Sequence, residues 1–174
     1  MKKKEAGFIL AVMLLGANAI FAASASSPVG IEPGHTLHVR IIDMVTDTLR
    51  YDRDFKIRGE NDRFHILKKS IEDVFEKAEL PVVTIIVRSS ARLPEHAQVL
   101  NIYLHEWELN RIGEYETRLA AQLTGDGVKE NLGVKVGSLH WGSPLSYDVT
   151  DNFETSARRA VAQLIPELAL RISG

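Results

Sequence analysis

The stretch from Val99 to Leu123, VLNIYLHEWELNRIGEYETRLAAQL, limits what this chain can fold into more than any other. From Tyr115 onward the odd positions Tyr115, Thr117, Leu119, Ala121 and Leu123 are mostly apolar, and the even positions Glu116, Arg118, Ala120 and Gln122 are mostly polar. That period of two belongs to a half-buried strand, whose successive side chains point to opposite faces. Upstream, Leu100, Ile102 and Leu104 share one face, while Asn101, Tyr103, His105 and Trp107 share the other. Between the two runs lies Asn110-Arg111-Ile112-Gly113, and Asn and Gly tolerate the positive φ that hairpin turns need. Helix is the competing reading, since Glu, Leu and Arg all favour it. The alternation decides for a hairpin of two long strands.

The other segments read as partners for that hairpin. Leu37, Val39 and Ile41 alternate with His38, Arg40 and Ile42 as a strand. Residues 43–59 form a long charged connection, carrying Asp43, Asp47, Asp52 and Asp54 among Arg50, Arg53, Lys56 and Arg58, with Phe55 and Ile57 as a possible short edge strand. Asn61 or Asp62 can cap a helix whose apolar stripe is Phe64, Leu67, Ile71, Val74, Phe75 and Ala78, ended by Pro81. The run Val82 to Val87, apolar on both faces, reads as an interior strand. Gly125-Asp126-Gly127 signals a second turn. After it comes a strand in which Leu132, Val134 and Val136 alternate with Gly133, Lys135 and Gly137; glycines there weaken the strand or mark a bulge. Residues 138–147 read as a loop. Asp151 and Glu154 then open a helix with the stripe Phe153, Ala157, Ala160, Val161, Leu164 and Leu168, which Pro166 should kink or end. The implied fold is α+β, a two-layer sandwich: a mainly antiparallel sheet of about five strands with two helices on one face, in the order β-α-β-β-β-β-α.

The start of the chain speaks to compartment. Lys2, Lys3 and Lys4 precede an apolar run from Phe8 to Ile20 and the small residues Ala23-Ser24-Ala25, the layout of a secretory signal peptide. Residues 1–25 are read as that signal, cleaved after Ala25 or after Ala22, residues 26–35 as a flexible leader, and residues 36–174 as one domain. The apolar run is short for a membrane span, so no stable membrane anchor is expected after cleavage. The chain has no cysteine, hence no disulfide and no lipid-bearing cysteine. Without Lys2, Lys3, Lys4 and Glu5, the 21 basic and 23 acidic residues become 18 and 22. A mildly acidic domain is a poor ligand for nucleic acid.

Chemistry is far less legible. Zinc needs three or four converging ligands, and His35, His38, His65, His96, His105 and His140 offer no such group by spacing. The aspartates of residues 43–59 lack the spacing and central glycine of a calcium loop. There is no Gly-x-Ser-x-Gly elbow, no phosphate loop and no dinucleotide fingerprint. No catalytic, metal or cofactor residue is therefore assigned. The most suggestive feature is aromatic: Tyr103 and Trp107 on one strand face, with Trp141 nearby, could anchor a partner. Sheet packing is the plain structural alternative for Trp107.

The order of elements, together with the secretory start, resembles a group of small bacterial envelope proteins. They include lipopolysaccharide-assembly lipoproteins, auxiliary lipoproteins of lipid-transport ABC systems, and the N-terminal domains of the curli-secretion lipoprotein and TolB. The likeness is carried by FHILKKSIEDVFEKAEL (Phe64 to Leu80), VLNIYLHEW (Val99 to Trp107), EYETRLAAQL (Glu114 to Leu123) and the closing helix from Asp151. It implies no shared active site, so no functional residue is carried over, and the missing cysteine departs from the lipoprotein pattern. The expectation is a non-enzymatic periplasmic or secreted protein that binds another envelope component through a sheet edge or loop. Two alternatives stay open. One is a hydrolase whose site forms only in three dimensions, around Asp52, Asp54 and His140. The other is a carrier of a lipid or small apolar ligand between sheet and helices.

Overall fold

The computed structural model describes residues 29–46, 60–140 and 149–172. The elements run β1 (Thr36–Asp43), α1 (Glu60–Lys77), β2 (Val83–Arg88), β3 (Gln98–Leu109), β4 (Glu114–Gly125), β5 (Val128–His140), α2 (Val149–Ala162) and α3 (Ile165–Ile172). The hairpin β3–β4 forms as the alternation requires. Asn110 closes its turn: its amide oxygen accepts from the backbone N–H of Ile112 at 3.1 Å and of Glu114 at 3.0 Å. The next turn, Asp126-Gly127, has positive φ at both residues, 49° and 77°, the geometry that matches strand twist in a two-residue hairpin.

The five strands make one sheet in the order β2-β1-β3-β4-β5. It is mixed: β1 runs parallel to both β2 and β3, and only β3–β4 and β4–β5 are antiparallel. The reason lies in the connections. The β1–α1–β2 unit returns through a helix and so lays β2 parallel beside β1. The meander β3–β4–β5 then grows away from the other side of β1. Val82 to Val87, expected inside the sheet, is therefore left at its edge. Two further bounds differ from expectation. Strand β5 continues through Ser138 and Leu139 to His140, where a loop was anticipated, and the closing helix is broken before Ile165, with Pro166 in the first turn of α3. The proposed strand at Phe55 and Ile57 lies outside the described residues.

The three described helices cover one face. The stripes Leu67, Ile71 and Phe75 of α1, Phe153, Ala157, Ala160 and Val161 of α2, and Leu168 of α3 are buried against Leu37, Val39, Leu100, Ile102, Leu104, Leu119 and Leu123. Gly137 sets how close α2 can lie: a Cβ there would stand 1.9 Å from the Ser156 carbonyl oxygen and 2.6 Å from the Ala160 nitrogen. Beside it Thr117 and Ser156 share a buried hydroxyl hydrogen bond of 2.6 Å. Val29 and Ile31, within the segment read as a leader, are buried in this core too.

Candidate functional site

Two bulges decide which side chains reach the outer face of the sheet, the one that no described helix covers. Along β3, Leu104 pairs with Leu119 but Glu106 with Arg118, so His105 is the extra residue. Before it the even positions face the helices; after it the odd ones do. Trp107 therefore turns inward. It is 4% exposed, and its ring stacks on Phe153 with centroids 4.8 Å apart, while Tyr115 meets Phe153 edge-on at 5.1 Å. The expectation that Trp107 shares an exposed face with Tyr103 is corrected by that single residue: Trp107 belongs to the core. Trp141 lies outside the described residues.

The second bulge works in the opposite direction. Ala121 pairs with Gly133 and Gln122 with Asn131, leaving Leu132 as the extra residue of β5. Gly133 adopts a φ of 79°, which few side-chain-bearing residues accept, and the Asn131 amide oxygen accepts from its N–H at 2.9 Å. Leu132 stays in the core, but Val134 and Val136 rotate outward, 59% and 40% exposed. Without the bulge they would follow Leu132 inward.

The outcome is a strip on that outer face. Ile42, Tyr103, Ala120 and Val134 lie in one row across four strands, and Val136 stands in the next row beside Arg118. Arg118 is paired on both sides, to Glu106 at 3.1 Å and to Glu116 at 2.9 Å, and Glu108 stands exposed beyond them. The arrangement is an apolar patch rimmed by charge, with no nucleophile and base held in contact. It suits adhesion to another surface.

Other ion pairs tie elements of the fold together. Asp43 accepts from buried Arg63 at 2.7 Å. Arg158 and Lys69 bind Glu154, and Arg158 also reaches Asp73, tying α2 to α1. Glu130 clamps the start of the domain: its carboxylate accepts from the Val29 N–H at 3.1 Å and pairs with Arg171, whose carbonyl accepts from the Ile31 N–H at 2.9 Å. The hydrogen bond from Arg171 holds the Glu130 carboxyl below its ordinary range, and Glu130 in turn raises Arg171.

For the hydrolase alternative, Asp52 and Asp54 lie outside the described residues, and His140 is exposed at the end of β5. For the carrier alternative, a depression among Ile41, Asp43, Glu60, Phe64, Arg88, Ser89 and Leu104 holds about 10 Å³, room for roughly one water. Among the described residues no three metal-ligating side chains converge, and no helix is long and apolar enough to cross a membrane. Sequence reasoning did not single out Ile42, Ala120, Val134 or Val136, and Gly133, two residues after Asn131, was the readable sign that the two valines turn outward.

No family model matches the chain, and neither does any curated protein. Solved structures do. The fold is similar to that of a variant PelC dodecamer from Paraburkholderia phytofirmans, at 15% identity and a TM-score of 0.52, over 82% of this chain and 92% of that one. It is also similar to protein XCC0632 from Xanthomonas campestris, at 16% identity and a TM-score of 0.49, over 83% and 89%. A third neighbour is lipoprotein GNA1162 from Neisseria meningitidis, at 14% identity and a TM-score of 0.38, over 79% and 97%. At these identities the likeness is one of fold.

Proposed function

We propose that this chain is an exported, non-enzymatic envelope protein that binds another envelope component on the outer face of its sheet. The observation that carries the reading is the strip in which exposed Val134 and Val136 lie beside half-buried Tyr103 and Ala120, covered by no described helix and bordered by the Glu106–Arg118–Glu116 ion pairs. Strand β5 is paired along its length with β4, and that pairing gives no structural need for exposed valines on its outer face. A bulge that turns two of them outward costs core contacts, and a partner surface gives that cost a use. The secretory start of the sequence supports an envelope setting.

The test is photocrosslinking in intact cells from a photoreactive residue at Val134 or Val136, with the adduct identified by mass spectrometry. An envelope protein captured from these positions, and not from exposed Leu170 on α3, supports the reading. If neither position captures anything and the purified protein turns over an ester or phosphate substrate, a hydrolase replaces it.

A further inference from the structure

Independently of that face, the two edges of the sheet differ in a way that points to self-pairing. Natural sheets guard their edges, because a bare row of N–H and C=O groups recruits other strands. The β5 edge is guarded: the Arg159 guanidinium donates to the Ser138 carbonyl, and the Gln163 amide donates to the Val136 carbonyl at 2.7 Å. A bulge at Leu132 adds to this. Among the described residues the β2 edge has none of these devices. The Val83 N–H donates to the His35 carbonyl, so Val83, Ile85 and Val87 turn their backbone toward β1. Thr84 and Ile86 then present theirs to the outside, and among the described residues no side chain reaches them. Val83 through Val87 holds no charge and no proline, and Val83 and Ile85 are 56% and 43% exposed.

We propose that β2 pairs antiparallel with β2 of a second copy about a two-fold axis at Ile85, joining two sheets into one of ten strands. The register is self-matching. Thr84 and Ile86 of one copy exchange both backbone hydrogen bonds with Ile86 and Thr84 of the other, and Val83 faces Val87. Ile85 meets its own counterpart in the closer, non-hydrogen-bonded type of pair, with Cα atoms about 4.5 Å apart. A second copy is the occupant because the strand matches itself from end to end: every outer-face residue it presents is a β-branched aliphatic, and the two-fold axis sets each against another. Such a contact is isologous and closes at two copies, so it does not propagate into a fibre.

The chain lacks cysteine, which makes single-cysteine crosslinking unambiguous. The purified Ile85→Cys protein is expected to form a symmetric disulfide dimer under mild oxidation, since about 4.5 Å suits a disulfide. Val136→Cys, on the guarded side, serves as the control. Sedimentation of the unmodified protein should show a dimer, and Ile85→Lys should weaken it at least ten-fold. Because Ile85 is already partly exposed, the lysine variant should keep the thermal midpoint of the monomer; Val83→Lys repeats the test at a second position. A protein that stays monomeric throughout, a dimer unaffected by Ile85→Lys, or crosslinking through Val136→Cys would each overturn the proposal. So would a monomer that takes up a foreign extended peptide along β2.

Discussion

Trp107 and Gly137 show what single residues contribute here. Trp107 fills the space between β3 and α2 against Phe153, so removing its ring leaves a cavity rather than a bare surface. Trp107→Ala is expected to destabilise the fold by about 3–5 kcal/mol in denaturant unfolding, the range for large aromatic truncations in a core. A loss below about 1 kcal/mol would mean that the ring is not packed as described. Gly137→Ala sets a methyl group against backbone on α2, which cannot swing aside as a side-chain tip can. A cost of about 3 kcal/mol is expected, with α2 displaced from β4 and β5 and the Thr117–Ser156 hydrogen bond lost. Alternation alone assigned the inward residues of β4 without error, because a regular strand carries its period in its sequence. It put Trp107 on the wrong face because nothing in Leu104-His105-Glu106 announces an extra residue.

Among elements, the sequence made the helices and the hairpin plain but left the place of β2 obscure. The helical stripes follow from a period of 3.6 and the turns from Asn and Gly chemistry, both local properties. Strand order is not local. An apolar run such as Val82 to Val87 looks the same whether a neighbouring strand or a second molecule covers it. The clamp on Val29 to Ile31 was hidden for the same reason: Glu130 and Arg171 are 41 residues apart and meet only through the fold. Its pH dependence has a definite sign. The Glu130 carboxyl sits below its ordinary 4.5 in the folded chain, so its contribution is complete above that value and is lost as pH falls through the lowered one. Arg171 is raised by the same contact, and its share is lost only in strong alkali. Glu130→Gln should cost about 1–2 kcal/mol at neutral pH and flatten the decline in stability below about pH 4.5. A variant whose acid-unfolding curve keeps the native slope would remove Glu130 from that role.

At the scale of the whole molecule, the sheet is a boundary between two kinds of surface. Its inner face is closed by three helices and fixes the fold; its outer face carries Tyr103, Val134 and Val136 and contributes little to holding the chain together. The two should therefore separate under mutation. Val134→Lys and Val136→Lys change residues already 59% and 40% exposed on a face that no described helix covers. Unfolding free energy should move by no more than about 0.5 kcal/mol, as for ordinary surface positions. Capture of an envelope partner from intact cells should fall sharply, because each lysine must lose hydration to enter an apolar contact. The comparison with Trp107→Ala makes the outcome decisive, since that variant loses stability first and binding only through it. If both lysine variants retain full capture at native stability, the outer strip is not the contact surface, and the bulge at Leu132 needs another reason.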